Sequence, residues 1–381
     1  MNTSTFKIYT SVSQLPTEWN AIAANNIFLT TSYLRILEVA APQNMSCQFI
    51  GVFENNLLIG ISISQFIDLT RLESFGERDR CLKTTLRNFL FNNFSSHVLF
   101  IGNNMLTGQN AIAFSEKAEA AIVLKTISEA TQELKTILKK KGVKIHITTY
   151  KDFFEDELTP FSIPTFRHYY QFSTQPNMIF RNTQNWENEN DYVAALSKKY
   201  RDQFKRARKK AVGIEKRKMD LEDIILHEET IYKLYFHVAK NAPFNTFFLP
   251  KNHFRVFKEL LKEQFLFYGY FYNNHLIGFN TLIKNGTTLD TYFLGYDDNL
   301  QREKMLYLNM LYDMIAYSLK KGFKEITLAR TALEIKSSVG AEPIPMFGFM
   351  EHSTSFLNQH MDWIFNYLEP KVTWQKRNPF K

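Results

Sequence analysis

Apolar and polar residues follow the same pattern in two distant segments of the chain. Residues 51–60 read GVFENNLLIG, and residues 269–278 read GYFYNNHLIG. Each segment has an aromatic-rich run, an Asn-Asn pair and a second apolar run. This pattern is typical of two strands joined by a tight turn, because asparagine tolerates positive φ. We therefore predict a β-hairpin in each segment.

The same order of elements continues after each hairpin. Residues 100–102 (FIG) and 293–295 (FLG) each end an apolar strand, and a polar loop follows. Long helical patterns come next, and each ends in lysines before a glycine, which is a common helix stop. The predicted helices cover residues 115–141 and 303–321, and the strands after them cover 143–147 and 323–328.

Four matching features in one order predict an internal duplication, with lobes at 1–170 and 171–381. Two unrelated α/β domains are the alternative. Each copy contains a hairpin, a strand, a helix and a strand, so the predicted fold class is α+β, with a mixed sheet flanked by helices in each lobe.

No G-x-G-x-x-G follows a strand and no P-loop motif occurs, which argues against dehydrogenases and P-loop ATPases.

Composition narrows the class of protein further. Hydrophobic residues make up 45% of the 381 residues, which indicates a packed, multidomain protein. The first residues lack a basic segment followed by an apolar run, and no window of about 18 apolar residues occurs, so we expect neither a secretory signal nor a membrane span. Cys47 and Cys81 lack the spacing of a zinc site, which favours core thiols in a cytoplasmic protein without a metal.

The net charge of +8 is concentrated in one segment. Residues 198–218 contain eleven basic and two acidic residues, a local net charge of +9. At helical spacing, Arg201, Lys205 and Arg208 share a face opposite an apolar stripe. We expect a helix over about 196–212 whose cations bind the phosphates of tRNA, a carrier cofactor or lipid head groups; a solvated basic face is the alternative.

This order of elements resembles the GNAT N-acetyltransferase fold. A tandem pair of such lobes resembles the FemA/FemB-like peptidoglycan aminoacyltransferases and their bacterial N-acyltransferase relatives. The segment 196–210 (LSKKYRDQFKRARKK) is similar to the basic helix that opens their C-terminal lobe, and GFKEI at 322–326, EIK at 334–336 and GA at 340–341 also match. The resemblance is clearest over 190–345. It implies an acyltransferase or aminoacyltransferase that forms an amide, with no permanently bound cofactor.

The chain departs from that fold at one motif. Acetyl-CoA enzymes of this kind use [QR]-x-x-G-x-[GA], whose glycines let backbone N–H groups approach a pyrophosphate. Here Gln301 fits the first position, but Lys304 and Leu306 replace the glycines. We therefore expect weak acetyl-CoA binding, with Gln301 and Arg302 still candidates for holding the donor. An acyl carrier protein, an aminoacyl-tRNA and a CoA thioester bound differently all stay open as donors.

The loop after the last repeated strand, residues 329–336, is the predicted catalytic segment. Amide formation needs a base for the amine proton and donors for the developing oxyanion. Glu334 is the preferred base and Lys336 a further catalytic candidate, while Lys336 or Arg330 could hold a carboxylate or phosphate. Tyr296 is the candidate acid for a leaving thiolate. The alternative is an exposed loop with structural ion pairs.

Two further segments are weaker candidates. His237 begins a stretch that runs through an aromatic loop to residue 250 and could form a wall of an acceptor pocket; residues 102–108 could form an anion-binding loop. No serine elbow or Cys/His pair supports a covalent intermediate, so direct transfer is expected. The alternative function is a catalytically inactive recognition protein that binds nucleic acid or a cell-wall precursor.

Overall fold

The computed structural model describes residues 4–24, 26–71, 95–173, 175–242, 245–368 and 374–381. Cys81 lies outside these residues. The chain forms two compact units. The first takes residues 1–174, 246–250 and 345–371, and the second takes 175–245, 251–344 and 372–381.

Both units contain strands and helices. The strands are β1 Ser4–Tyr9, β2 Met45–Glu54, β3 Leu57–Asp68, β4 His97–Ile101, β5 Ile112–Phe114, β6 Ile147–Phe153, β7 Tyr170–Ser173, β8 Asn177–Arg181, β9 Ile214–Met219, β10 Phe265–Tyr272, β11 His275–Asn285, β12 Thr288–Tyr296, β13 Glu325–Thr327, β14 Glu342–Ile344 and β15 Phe347–His352. The helices are α1 Trp19–Ala23, α2 Thr31–Ala40, α3 Ala120–Lys140, α4 Glu189–Ala195, α5 Lys198–Lys210, α6 Leu221–Leu226, α7 Glu228–Asn241, α8 His253–Leu261, α9 Asp298–Lys304, α10 Leu306–Lys321, α11 Leu333–Ser337, α12 Ser355–Gln359 and α13 Met361–Leu368.

The two sheets have the same strand order and the same strand directions. The first is β1-β2-β3-β4-β6-β15-β7, with β5 also paired to β3, and the second is β9-β10-β11-β12-β13-β8-β14. In each, the first four strands are antiparallel, the fourth and fifth are parallel, and the rest are antiparallel. The mixed α/β architecture predicted from the sequence is therefore confirmed.

The two predicted hairpins occupy equivalent positions in their sheets. Both residues of each turn are asparagines with positive φ, at 50° and 63° for Asn55 and Asn56 and at 49° and 63° for Asn273 and Asn274. In both hairpins the register shifts between the third and second residues before the turn. Two sheets therefore share both a turn and a bulge, at a constant offset in sequence.

The register corrects one of the four matched features. Gly60 pairs with Phe114, and the equivalent Gly278 pairs with Tyr296. The segment at 293–295 thus corresponds to β5, not to residues 100–102. The physical reason is that β12 stays in the sheet through a bulge, whereas the first unit leaves its sheet after Ile101 and returns at Ile112. Apolar strand ends look alike in both cases.

The predicted helix stops are confirmed, but several other boundaries differ from the prediction: the first long helix begins at Ala120, and the strand predicted at 323–328 covers Glu325–Thr327. Gly142 and Gly322 follow the long helices α3 and α10 with φ of 81° and 72°, the left-handed conformation that glycine adopts most easily. The helix predicted from 303 is interrupted by Met305 at φ 49°, which separates α9 from α10. The strand predicted at 143–147 begins only at Ile147.

The first sheet contains one strand, β15, that comes from the C-terminal half of the chain. β8 follows β7 in sequence but pairs with β13 and β14, whereas β15 follows β14 but pairs with β6 and β7. The sequence placed all of residues 171–381 in the C-terminal lobe, whereas residues 345–371 belong to the first unit. The sequence pattern of an apolar strand does not indicate which sheet the strand joins. The pairing of β15 with the first sheet could therefore not be predicted from the sequence.

Candidate functional site

The stretch that would bind a pyrophosphate in acetyl-CoA enzymes has large side chains at both glycine positions. α9 covers Asp298–Lys304, and the Leu306 side chain that follows is fully buried. The ammonium of Lys304 lies 4.5 Å from the ring centroid of Tyr272. The glycines that let backbone N–H groups approach a pyrophosphate are therefore replaced here by two residues whose side chains contact other parts of the protein.

Tyr296 lies at the end of β12, beside one of the predicted donor-binding residues. Burial raises the pKa of its phenol, and a side-chain hydrogen bond with Gln301 lowers that pKa by less. The phenol therefore keeps its proton at neutral pH, as an acid for a leaving group requires. Arg302, the next residue of α9, is exposed.

The three basic residues predicted to share one face of the basic segment have different environments. Lys205 of α5 is exposed, but Arg201 donates from Nη1 to the carbonyl of Leu196 at 2.9 Å and to that of Ala194 at 3.4 Å. Arg208 lies next to the buried Ala207 and points into the unit. The structure therefore differs from the predicted ridge, because two of the three residues expected to form it, Arg201 and Arg208, contact other protein groups.

Arg208 belongs to a polar cluster beneath α5. Its guanidinium contacts Glu189 at 2.5 Å and Asp313 at 2.7 Å and donates to Asn309 Oδ1 at 3.2 Å. The Tyr270 hydroxyl donates to the same Asp313 carboxylate at 2.9 Å. The guanidinium is thus held by two carboxylates, and it fastens α5 to α10.

The apolar stripe predicted for this helix does face the core. Tyr200 and Ala207 are buried, and Phe204 packs on the same cluster. The cations that remain exposed on α5 are Lys198, Lys199, Lys205, Arg206, Lys209 and Lys210.

The loop after β13 contains two residues in a strained backbone conformation. Ala329 has φ 61° and Ala332 has φ 54°, values that alanine rarely adopts. Arg330 lies between them and is half-buried. The loop leads directly into α11, which contains both Glu334 and Lys336. This segment is where the sequence placed the catalytic residues.

Glu334 and Lys336 face different environments. The Glu334 side chain is 50% exposed, and its Oε1 lies 2.9 Å from Arg377 Nη2. Lys336 is only 4% exposed, and its ammonium donates to the Ala329 carbonyl at 3.3 Å. Among the contacts of the described residues, none joins Glu334 to Lys336 or to Tyr296.

The Lys336 amine of α11 lies in an environment that strongly disfavours its charged form. Burial lowers its pKa to about 7, because a charged ammonium loses its hydration there. The carbonyl that it contacts also accepts the Met178 N–H at 3.2 Å. The preceding residue, Asn177, is buried, and its Oδ1 has no hydrogen-bond partner within the described residues. The sequence did not single out Asn177, since one asparagine before a strand is unremarkable.

β12 and β13 pair over only a short distance. Their parallel ladder joins Thr288–Asp290 to Glu325–Thr327, and β12 continues to Tyr296 without pairing to β13. At the last ladder position, burial raises the pKa of Asp290 to about 6, while hydrogen bonds from Thr327 and Asn285 lower it by less. Two titratable groups with a pKa near neutrality, Asp290 and Lys336, are therefore found on or just after these strands.

The ammonium of a buried lysine hydrogen-bonds to backbone carbonyls of the loop at 102–108 in the first unit. Lys151, near the end of β6, is 7% exposed and donates to the carbonyls of Asn103 at 3.0 Å and Leu106 at 3.3 Å. Its ammonium also lies 2.6 Å from the Asp152 carboxylate. The loop carbonyls thus bind a cation of the protein itself, which does not fit the predicted anion-binding loop.

His237 lies on an exposed part of α7, where the Asn241 side chain donates to its backbone carbonyl at 3.0 Å. Residues 243–244 of the predicted aromatic loop lie outside the described residues. A histidine that the sequence did not single out, His253, is fully buried, and its Nε2 lies 3.0 Å from the Tyr292 hydroxyl. The Tyr292 ring stacks on Phe257, so this tyrosine packs in the core.

Within the described ranges, no helix combines the length and the apolar character needed to cross a bilayer. In the same residues, no three His, Cys, Asp or Glu side chains are close enough to hold a metal ion together.

No model of a known protein family matches the chain, and no curated protein matches its sequence. A solved tandem GNAT protein from the clavulanic acid biosynthesis pathway is similar in structure, with a TM-score of 0.50 at 8% identity, over 92% of this chain and 99% of that one. FemX superposes with a TM-score of 0.49 at 12% identity, over 93% and 98%. L-PGS from Bacillus licheniformis gives 0.45 at 9%, over 89% and 97%. The similarity to the tandem GNAT protein shows the fold, and the chain has the predicted tandem GNAT fold.

Proposed function

We propose that this protein forms an amide by transferring an acyl or aminoacyl group from a thioester or ester donor to an amine, at a site in the second unit. The observation that carries the proposal is the buried amine of Lys336, with its pKa lowered to about 7, in the short helix α11 that follows the strained loop after β13. A fold alone does not determine an activity, so the proposal rests on this group.

The chemistry needs one proton acceptor and one proton donor. The acceptor amine attacks the carbonyl carbon of the donor, a C–N bond forms, and the C–S or C–O bond to the carrier breaks. Lys336 in its neutral form takes the proton that the amine loses, and the Tyr296 phenol, kept protonated by burial, supplies one to the leaving thiolate or alkoxide. A base with a pKa near the working pH is the most effective, which favours Lys336 over the ion-paired Glu334.

The residues that we propose to bind the acyl donor differ from those that transfer protons. The side chains of Lys304 and Leu306 argue against acetyl-CoA held on backbone amides. An acyl carrier protein, an aminoacyl-tRNA or a CoA thioester held by side chains would each bring phosphates. The exposed cations of α5, which include Lys205, together with Gln301, Arg302 and Arg330, are the groups that we propose to hold them.

The second candidate function is recognition without catalysis. It is favoured by the ion pair of Glu334 with Arg377, which engages the carboxylate that the sequence assigned as base. In that case the exposed basic face of α5 would bind nucleic acid or a cell-wall precursor, and no donor would be consumed.

The pH dependence of amide formation tests the proposal. Purified protein is incubated with an acyl carrier protein thioester, an aminoacyl-tRNA or an acyl-CoA and a mixture of amines, and amide is measured by mass spectrometry. With the productive donor, kcat/KM is expected to rise with pH and to reach half its plateau near pH 7, because the neutral amine is the active form. No amide from any donor class, or a flat profile from pH 6 to 8, would refute it.

A further inference from the structure

A cavity of about 500 Å³ opens on the second unit at the carboxyl-terminal end of α10. A volume of this size is typical of small-molecule sites. None of the proposed acyl-transfer residues lines it. Its walls are formed by Lys218, Glu263, Leu266, Tyr268, Lys284, Tyr317, Lys321 and Phe323.

The charges around this cavity are unbalanced. Three lysines line it, against one carboxylate, that of Glu263. Glu263 already contacts Lys218 at 2.8 Å and Lys258 at 3.7 Å. No ion pair of Lys284 or Lys321 is found among the described residues. Like charges held together repel each other, and a bound anion relieves that repulsion.

Aromatic rings form the less polar part of the wall. The Tyr268 and Tyr317 rings meet edge to face with centroids 6.0 Å apart, and Tyr317 stacks on Phe323 at 6.4 Å. Tyrosine and phenylalanine faces accept flat apolar groups, so the cavity combines cations with a ring-binding surface.

The first unit shows that the fold does not require these lysines. By strand register, Lys218, Tyr268 and Lys284 correspond to Ile8, Ile50 and Phe66 of the first sheet. Those three apolar side chains belong to or pack on the core of the first unit. The same positions of one fold are thus packed with apolar groups in one unit and open and cationic in the other.

We infer that this cavity is a binding site for a phosphate-bearing small molecule with a flat ring, such as a nucleoside phosphate. The phosphate lies between Lys284 and Lys321, and the ring lies against Tyr268, Tyr317 and Phe323. The carboxyl-terminal end of the helix itself disfavours an anion, and the two lysine charges outweigh this effect. The site is separate from the acyl-transfer residues and does not depend on the proposed function.

Calorimetric titration of the full chain with AMP, inorganic phosphate and adenosine tests the inference. AMP is expected to bind more tightly than either fragment, because it engages both the cations and the rings. Lys284→Gln and Lys321→Gln should each weaken AMP binding about tenfold, the loss of one charge-assisted contact. Lys320→Gln is the matched control, since Lys320 is an exposed neighbour that does not line the cavity, and it should leave the affinity unchanged.

Three outcomes would overturn the inference: no AMP binding at millimolar concentration, adenosine binding as tightly as AMP, or equal weakening by the Lys320 control. Circular dichroism of each variant checks that the fold is intact. A variant that loses AMP affinity while keeping its melting temperature supports the site.

Discussion

Lys336 illustrates how strongly the charge state of a side chain depends on the groups that surround it. A lysine is usually exposed and charged, yet this amine is 4% exposed and contacts one carbonyl, that of Ala329. The sequence identified the residue, because EIK follows the last repeated strand. It could not rank Lys336 above Glu334, since burial is decided by how the loop folds back onto β8 and β13.

Lys336→Met should stabilise the protein at neutral pH. The pKa of the amine is about 7 in the folded chain and about 10.4 in an unfolded one. Between these values the unfolded chain binds one more proton, so the free energy of unfolding of the wild type rises as the pH increases from 7 to 10. Methionine should remove that slope and raise the free energy of unfolding at pH 7 by on the order of 2–4 kcal/mol.

Urea unfolding of both proteins at several pH values measures this difference. Lys324→Met, a change at an exposed lysine before β13, serves as the control and should keep the wild-type slope. If Lys336→Met unfolds more easily than the wild type at pH 7, the amine is charged and well solvated in the folded state, and the account of this residue fails.

At the scale of elements, the α5 helix shows which features of a highly charged helix can be predicted from its sequence. The apolar stripe through Tyr200 and Ala207 was predictable, because helical periodicity places these residues on one face. The ion pairs of Arg208 were not predictable, because its partners Glu189 and Asp313 are distant from it in sequence. A basic residue at the edge of a buried face is exposed or paired depending on those partners.

Arg208→Ala should therefore destabilise the fold, contrary to what a surface ridge would suggest. Removing the guanidinium leaves Glu189 and Asp313 without their main counter-charge, at a cost of about 3–5 kcal/mol when such a pair is buried and somewhat less here, since the pair is partly exposed. Lys209→Ala, one position along on the exposed side, should change stability by less than about 0.5 kcal/mol.

Thermal unfolding followed by circular dichroism separates these two variants. A double variant, Arg208→Met with Asp313→Asn, should recover part of the loss, because the carboxylate charge is removed together with its partner. Equal melting temperatures for Arg208→Ala and Lys209→Ala would show that the cluster contributes nothing to stability.

At the scale of the whole molecule, local patterns identified the repeated parts but not their connections. Both hairpins were predictable because an Asn-Asn turn between apolar runs is a local signal. The pairing of β15 with β6 and β7 was not, because strand pairing across the chain depends on tertiary contacts. The first division between the units falls at 174/175, close to the predicted 170/171, but residues 345–371 also belong to the first unit.

A fragment of residues 1–174 should not fold cooperatively. β15 lies between β6 and β7 in the first sheet, so without it β7 has no partner strand and β6 has an unpaired edge. Fusing residues 345–371 after residue 174 should restore a sharp thermal transition. A cooperative transition of the 1–174 fragment at the melting temperature of the fused chain would contradict the strand assignment.

The central claim is that the Lys336 amine serves acyl transfer in the second unit. The most direct measurement compares the rates of amide formation by the wild type, Lys336→Met and Lys324→Met with the productive donor at saturating concentrations and pH 7.5. The account predicts that Lys336→Met loses about 10²–10⁴-fold in kcat while remaining folded, and that Lys324→Met keeps the wild-type rate. Unchanged kcat in Lys336→Met, or an equal loss in Lys324→Met, would contradict it.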